Sequence, residues 1–305
     1  MKAVVFGGAG FLGSHIADAL TNAGYKVTIF DLCKSKYLQK TQKMIIGSIL
    51  DENAVKRAVK DADVVYNFAA IADMDDANKK PIETVKNNIL GNTIVLEMCR
   101  LSKVKRFVFA STLYVYSEAG TFYRSSKQAC ELIIENYNEL FDLPYTILRY
   151  GSLYGPRCDE RNYIYKIVKQ AITEGKIVSF GKGEDLREYI HVEDAARYSV
   201  DILAKEFENQ HVILTGSQPM RRKDLLIMIR EMLGNKIEIK YSPKKSTLHY
   251  EITPYSFNPK IAKKYVGSYH LDLGQGILQC INDVHGKYHS SSKISDVVEK
   301  SKRKR

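Results

Sequence analysis

A doubly wound parallel α/β sheet with a smaller α+β companion is the fold this chain predicts, and three observations carry the prediction. A length of 305 residues suits about two domains. The first half alternates short β-branched runs with longer amphipathic stretches, the pattern of strand-helix-strand units that stack into a parallel sheet with helices on both faces. The second half loosens into glycine-punctuated segments without that alternation. Hydrophobic residues at 45% and charged residues at 27% lie in the globular range, and no apolar run nears the roughly 18 residues of a spanning helix. A disordered chain and a membrane span are thereby excluded.

Element by element, Ala3 to Phe6, Val27 to Phe30, Met44 to Ile46, Val64 to Phe68, Phe107 to Ala110 and Tyr145 to Leu148 read as strands. Between them Leu12 to Ala23, Glu52 to Lys60, Ile82 to Leu101 and Tyr123 to Phe141 carry helical spacing of apolar residues. Further helices are expected at Asn162 to Glu174, Val192 to Leu203, Arg222 to Leu233, Pro259 to Tyr265 and Leu271 to Val284. The expected division is a dinucleotide domain over residues 1–150, with later returns near 188–215, and a substrate domain over most of 151–305. Ligands of open α/β sheets bind beyond the strand carboxyl ends, so function is to be sought in the cleft between the two.

The five cysteines, an odd number with no CxxC, predict reduced and mostly buried thiols. Nothing at the N-terminus has the layout of a signal peptide, which predicts a cytoplasmic chain. Net charge is +11. Residues 287–305 hold seven Lys/Arg against Asp296 and Glu299, so that tail supplies +5 and the body only +6. Such a body suits an anionic small molecule; the tail is read as a solvated end, and nucleic acid and membrane are not expected partners. His285 and His289 have i,i+4 spacing, but without a third ligand no metal site is read.

Gly7-Gly-Ala-Gly10-Phe-Leu-Gly13 follows the first strand and opens the first helix. Gly7 permits the tight turn, Gly10 lets backbone approach a pyrophosphate, and Gly13 allows the helix to pack closely on the strand, with the helix N-terminus favouring negative charge. Asp31, ending the second strand 18 residues after Gly13, can accept hydrogen bonds from both adenosine ribose hydroxyls and would repel a 2′-phosphate. NAD is therefore expected over NADP, although Lys34 and Lys36 follow closely.

With these residues in place, the chain resembles the extended short-chain dehydrogenase/reductases of the nucleotide-sugar epimerase/dehydratase family, enzymes of Rossmann fold. Matching segments are Asn67-Phe-Ala-Ala70, Asn87-Asn-Ile-Leu-Gly91, Ala110-Ser-Thr-Leu-Tyr-Val-Tyr116, Tyr123-Arg-Ser-Ser-Lys127, Leu148-Arg-Tyr-Gly-Ser-Leu-Tyr-Gly-Pro-Arg157 and Arg187-Glu-Tyr-Ile-His-Val-Glu-Asp194. The resemblance implies NAD contacts from Phe11, Leu12, Ile49, Phe68, Ala69, Ala70 and Asn87 besides the glycines and Asp31. It also implies a nucleotide-diphosphate sugar as substrate, with Thr112, Ser152 and Arg187 touching it, and a homodimer. On the two pairing helices Ile94, Met98, Ile133 and Tyr137 recur at helical spacing, a face to be buried either in the chain's own core or against the partner.

Tyr123 and Lys127 sit four apart, so on a helix both ends reach one cofactor. The ammonium and the nicotinamide charge favour the phenolate, which can take a proton from a sugar hydroxyl. Thr112 is expected to bond both the substrate oxygen and Tyr123, and Lys127 to hold the nicotinamide ribose.

Three departures narrow the chemistry. Sugar 4,6-dehydratases place a carboxylate after the Thr, where this chain has Leu113 and Tyr114; Glu118, Asp73 and Asp75 read as surface charges. The link from Thr112 to Tyr123 is short, and Ser152 replaces a family Asn. Arg187 retains the bidentate fork that suits a diphosphate, and His191 reads as structural. An epimerase-like reaction through C4 oxidation is expected first. Alternatives are a 4-dehydrogenase or 4-ketoreductase, a 4,6-dehydratase, or a non-enzymatic NAD-sensing or RNA-binding protein.

Overall fold

The computed structural model describes residues 1–243, 249–256 and 260–302, with side chains through 288. In chain order the regular elements of the first half are β1 (Lys2–Phe6), α1 (Phe11–Asn22), β2 (Lys26–Asp31), β3 (Lys43–Ile46), α2 (Glu52–Val59), β4 (Val64–Asn67), α3 (Met74–Lys79), α4 (Pro81–Thr84), α5 (Gly91–Leu101), β5 (Arg106–Thr112), α6 (Thr121–Phe141) and β6 (Tyr145–Tyr150). There follow β7 (Ser152–Tyr154), α7 (Tyr163–Glu174), β8 (Lys176–Phe180), β9 (Leu186–His191), α8 (Val192–Asp201), β10 (Gln210–Leu214), β11 (Pro219–Arg221), α9 (Arg222–Met232), β12 (Glu238–Ser242), β13 (Lys263–Lys264) and α10 (Leu273–Lys302).

Eight strands form one parallel sheet in the order β13-β10-β6-β5-β4-β1-β2-β3. Because β1 leads to β2 on one side while β4 flanks it on the other, the order reverses at β1, and a crevice opens at its carboxyl end. The strands read as nearly continuous apolar runs because both sheet faces are covered. One face buries Phe6, Val95, Leu96, Phe107, Ile134 and Ile147 beneath α2, α5 and α6. The other buries Ile16, Leu20, Tyr66, Leu148 and Tyr198 beneath α1 and α8. A third core, with Ile164, Val168, Leu225, Ile229 and Ile277, joins α7, α9 and α10, beside a three-stranded sheet β11-β9-β7 and the pair β12-β8.

Two of the predicted helices differ. The stretch from Ile82 to Leu101 is not one α-helix: Val85–Leu90 between α4 and α5 forms a turn of π-helix, which accommodates one extra residue and shifts the side-chain register. From Pro259 to Tyr265 there is no helix among the described residues, which begin at Lys260. Instead, Lys263 and Lys264 pair in parallel with Val212 and Ile213 as the edge of the large sheet. The apolar spacing there has another origin: the Tyr265 ring packs edge-on against Tyr198 and Phe207, while Ile261 is exposed. Helix α3 was not foreseen. The backbone of α10 continues past Val284 to Lys302 rather than fraying; side chains beyond 288, His289 and most basic tail residues among them, lie outside the described residues. Four cysteines are buried and Cys33 is exposed.

Candidate active site

The glycine turn shows on its own backbone why side chains are excluded. Gly7 has φ +74°, and a Cβ there would stand 2.7 Å from the Ala69 nitrogen; one at Gly13 would stand 2.2 Å from the Gly7 oxygen. Gly10 is different. It is exposed and a Cβ would meet only the Gly7 oxygen, at 3.3 Å, so its glycine character is suited to something approaching from outside. Gly10 is also the N-cap of α1 and offers no side-chain acceptor to the first turn, an arrangement that favours an anion.

Asp31 ends β2 beside this turn. Its Oδ2 accepts the Ala9 N–H at 2.9 Å, and its Oδ1 has long contacts with the Cys33 N–H, 3.4 Å, and thiol, 3.8 Å. Phe68, Ala69 and Ala70 lie half-buried where β4 ends, and the Phe68 N–H donates to the Phe6 oxygen at 2.9 Å. Phe11 and Leu12 occupy the first turn of α1. Ile49 is buried, and a Cβ on Gly91 of α5 would stand 2.4 Å from its Cδ1. These residues fit a dinucleotide: an open helix N-terminus, a turn without side chains, and an acidic side chain one strand away.

Asn87 turns back on its own helix and donates to the Glu83 oxygen at 2.9 Å. Its neighbour Asn88, which the sequence did not single out, is buried. Asn88 accepts the Ile71 N–H at 2.7 Å, donates to the Ile71 oxygen at 3.1 Å and donates to the Ser126 hydroxyl at 3.0 Å. It thereby ties the loop after β4 to the helix that carries Tyr123 and Lys127. The π turn is what directs it there.

Tyr123, Thr112 and Lys127 converge. The Thr112 hydroxyl caps the 3-10 turn Leu113–Tyr116, accepting the Tyr114 N–H at 3.3 Å, and lies near enough to the Tyr123 hydroxyl to favour its ionised form. Lys127 is only 3% exposed. Its Nζ donates to the Ala110 oxygen at 2.7 Å and stands 5.8 Å from the centre of the Tyr123 ring. Burial pushes the Tyr123 hydroxyl up to about 12, with Thr112 pulling the other way. Burial also draws Lys127 down to about 8, opposed by Cys130 and Glu131. The phenol is thus not depressed, contrary to the effect expected of the ammonium alone, because desolvation disfavours both charged forms.

One turn beyond Lys127, the buried Glu131 accepts the Ser111 hydroxyl at 2.5 Å and a two-pronged hydrogen bond from Arg149, at 3.0 and 2.6 Å. Arg149 is 0% exposed. It also donates to the Tyr116 hydroxyl and, at 2.7 Å, to the Lys260 oxygen.

Beyond this centre opens a cavity of about 1290 Å³, lined among others by Ser152, Tyr114, Arg187, Arg222, His249 and Tyr250. The Arg187 guanidinium lies 4.2 Å over the Tyr250 ring. Asp185 holds both arginines, accepting from Arg187 Nε at 3.4 Å and from Arg222 Nε at 2.8 Å, and Tyr114 and Tyr250 stand beside the Arg187 guanidinium. Asp73, which caps α3, and the exposed Asp75 border the cavity as well. Glu118 is exposed and outside the lining. His191 is buried and caps α8, accepting the Glu193 N–H at 3.4 Å.

A family model, the NAD dependent epimerase/dehydratase family, matches residues 3–216. The chain belongs to this family. It is accordingly an NAD-dependent enzyme of the extended short-chain dehydrogenase/reductase type. A UDP-N-acetyl-alpha-D-glucosaminuronate decarboxylase of Bacillus cytotoxicus is 31% identical over 243 residues, 71% of this chain and 75% of that protein. The UDP-glucose 4-epimerase of Thermotoga maritima, solved with UDP-glucose, superposes with a TM-score of 0.79 at 25% identity, covering 92% of this chain and 98% of that one. A UDP-N-acetylglucosamine 4-epimerase of Methanobrevibacter ruminantium, solved with UDP-N-acetylmuramic acid, gives 0.79 at 27% identity over 95% and 98% of the two chains. No helix among the described residues is long and apolar enough to cross a membrane.

Proposed function

We propose that the chain is a nucleotide-sugar 4-epimerase working through a 4-keto sugar. The observation that carries this reading is the convergence of Thr112 on the Tyr123 hydroxyl with Lys127 one helical turn on, set beside a cavity that holds Arg187. Tyr123 takes the proton of the C4 hydroxyl. Thr112 fixes the orientation of that oxygen, and the Lys127 ammonium holds the nicotinamide ribose while its charge favours the phenolate. NAD, when bound, supplies the acceptor for the C4 hydrogen. Gly7, Gly10 and Gly13 receive its pyrophosphate at the N-terminus of α1, Asp31 its adenosine ribose, and Phe11, Leu12, Ile49, Phe68, Ala69, Ala70 and Asn87 border it. Arg187 takes the substrate diphosphate, with Ser152 beside it, and residues 151–305 provide most of the substrate side.

Mass spectrometry of the products from a panel of UDP-, GDP-, CDP- and dTDP-hexoses tests this. An isomer of unchanged mass is expected. Loss of two hydrogens would mean net oxidation. Loss of one water would overturn the epimerase reading, because neither Leu113 nor Tyr114 supplies the carboxylate that elimination across C5 and C6 uses.

A homodimer through α5 and α6 is part of the proposal. Ile94, Ile133 and Tyr137 pack with Met98 against the core of the chain. Leu101, Phe122, Leu132, Leu140 and Phe141 are the large apolar residues left exposed on these helices, Leu140 at 70%, and a second copy would cover those that share a face. Light scattering of a dilute sample should give twice the chain mass of 34.7 kDa; a monomer would refute it.

A further inference from the structure

The Lys127 ammonium has to stay charged although the residue is buried, and a buried cation needs a partner. Its Nζ donates to the Ala110 oxygen at 2.7 Å, a neutral group. The carboxylate one turn on, Glu131, is already committed to the Ser111 hydroxyl and to the two-pronged bond from Arg149. A ring faces the ammonium instead. The Nζ stands 4.6 Å from the centre of the Phe109 ring, nearer than the 5.8 Å to the centre of Tyr123. Phe109 lies on β5, buried in the same core as Phe107 two residues before it. Side chains two apart on a strand share a face, so the two rings belong to one layer, and among the described residues Phe109 alone of the two has a cation over it.

We infer that Phe109 is a positioning residue of the redox centre, its ring face holding the Lys127 ammonium in place and in its charged form beside Tyr123. This rests on the reading that gives Lys127 a charge to lend the phenolate, whatever the sugar. The face of an aromatic ring carries negative potential, and its attraction for a cation is strongest where water is excluded. An aliphatic side chain would fill much of the same space and offer the ammonium nothing. The other groups that act on this charge come from three elements. On α6, Cys130 and Glu131 favour the ammonium against the larger cost of burial. On β6, Arg149 opposes Glu131 with its own charge. The π turn presents Asn88, a neutral group whose oxygen accepts the Cys130 thiol at 3.0 Å. Burial leaves Lys127 at about 8, and loss of the ring face should take it lower still, because only the charged form gains from the ring.

The test compares Phe109→Leu with Phe107→Leu, the same change in the same core away from the ammonium. Isotope-labelled lysine side chains are titrated by NMR in the NAD-bound full chain, with Lys127 assigned by its absence from Lys127→Met. In Phe109→Leu, Lys127 should lose its proton about one pH unit lower than in the native chain, and in Phe107→Leu at the native pH. The deficit of Phe109→Leu in kcat/KM should accordingly grow from within about twofold near pH 6 to about fivefold near pH 8. Where Phe109→Leu does not fold, mono-, di- and trifluorophenylalanine at position 109 keep the shape of the ring and weaken its negative face step by step, and the Lys127 titration should move down in that order. An equal shift from both leucine variants, or an unmoved titration across the fluorinated series, would overturn the inference and leave the epimerase reading intact. Failure to turn over any nucleotide sugar would remove the epimerase reading and leave the titration to decide on Phe109.

Discussion

On the cofactor side of the cleft, the groups that meet come from nearby in the chain: Lys127 and the Ala110 oxygen are 17 residues apart, Glu131 and Ser111 are 20, and Arg149 and Glu131 are 18. Across the cleft, Arg222 reaches Asp185 over 37 residues and His249 reaches Tyr114 over 135. The near side is a seam, with successive turns of α6 bonded to successive residues of β5 and closed by an ion pair without solvent. The far side is an assembly of loops whose charges of both signs remain beside open volume. Chemistry common to a family belongs on the first kind of surface, where local geometry fixes it; recognition that differs between members belongs on the second.

The largest effect should come from the seam. Tyr123→Phe removes one hydroxyl and keeps the ring, and turnover should fall by roughly 10² to 10⁴ while the circular dichroism spectrum and NAD affinity stay near native. Activity within a few-fold of native would take Tyr123 out of the mechanism and the seam out of the chemistry. Next comes the ion pair: Glu131→Ala leaves the Arg149 guanidinium buried without its partner and should cost about 3–5 kcal/mol in urea unfolding. Across the cleft, loss of the exposed Glu184 carboxylate that faces Lys223 should leave the unfolding midpoint where it was. Comparable losses at both sites would erase the contrast.

A smaller effect is expected where the seam meets the dinucleotide. Asp31→Ala should weaken NAD by about 3 kcal/mol, some hundredfold, and NADP far less; equal weakening in calorimetric titrations would show that Asp31 does not read the 2′ position. Smallest is a shift in pH dependence. The phenolate form of Tyr123 is the base, so kcat/KM should rise with pH, and Lys127, drawn down to about 8, supports it fully below that pH and progressively less above. Lys127→Met removes the charge altogether and should move this rising limb up by about one unit. An unmoved limb would mean that the phenolate is favoured by something other than this lysine.

The same contrast governs what could be read from the residues in order. Gly7, Gly10, Gly13 and Asp31 announce themselves because a phosphate-binding turn is a local device, and the Tyr123–Lys127 spacing is a helical repeat. Strands β1 to β6 came within two residues of their ends, since apolar runs between helices admit few other structures. Tyr114 was noticed only for not being a carboxylate, because nothing near it in sequence announces His249. Arg222 and Asp185 escaped for the same reason. The segment at Lys263 and Lys264 was misread because its apolar residues pack against aromatic rings of distant elements, which spacing alone imitates as a helix. Asn88 was passed over for Asn87, since a turn of π-helix shifts which of two adjacent side chains faces inward.

That turn has a consequence for how this gene can change. Deleting one codon within Val85–Leu90 would restore an ordinary α-helix, and everything before the cut would rotate by about 100° relative to everything after it. Asn88 could no longer serve Ile71 and Ser126 at once, although every amino acid of the redox centre would still be encoded. Substitutions along the exposed side of this stretch should be carried freely by descendants, while insertions and deletions should be purged. The length of the segment, more than its spelling, is the trait under selection.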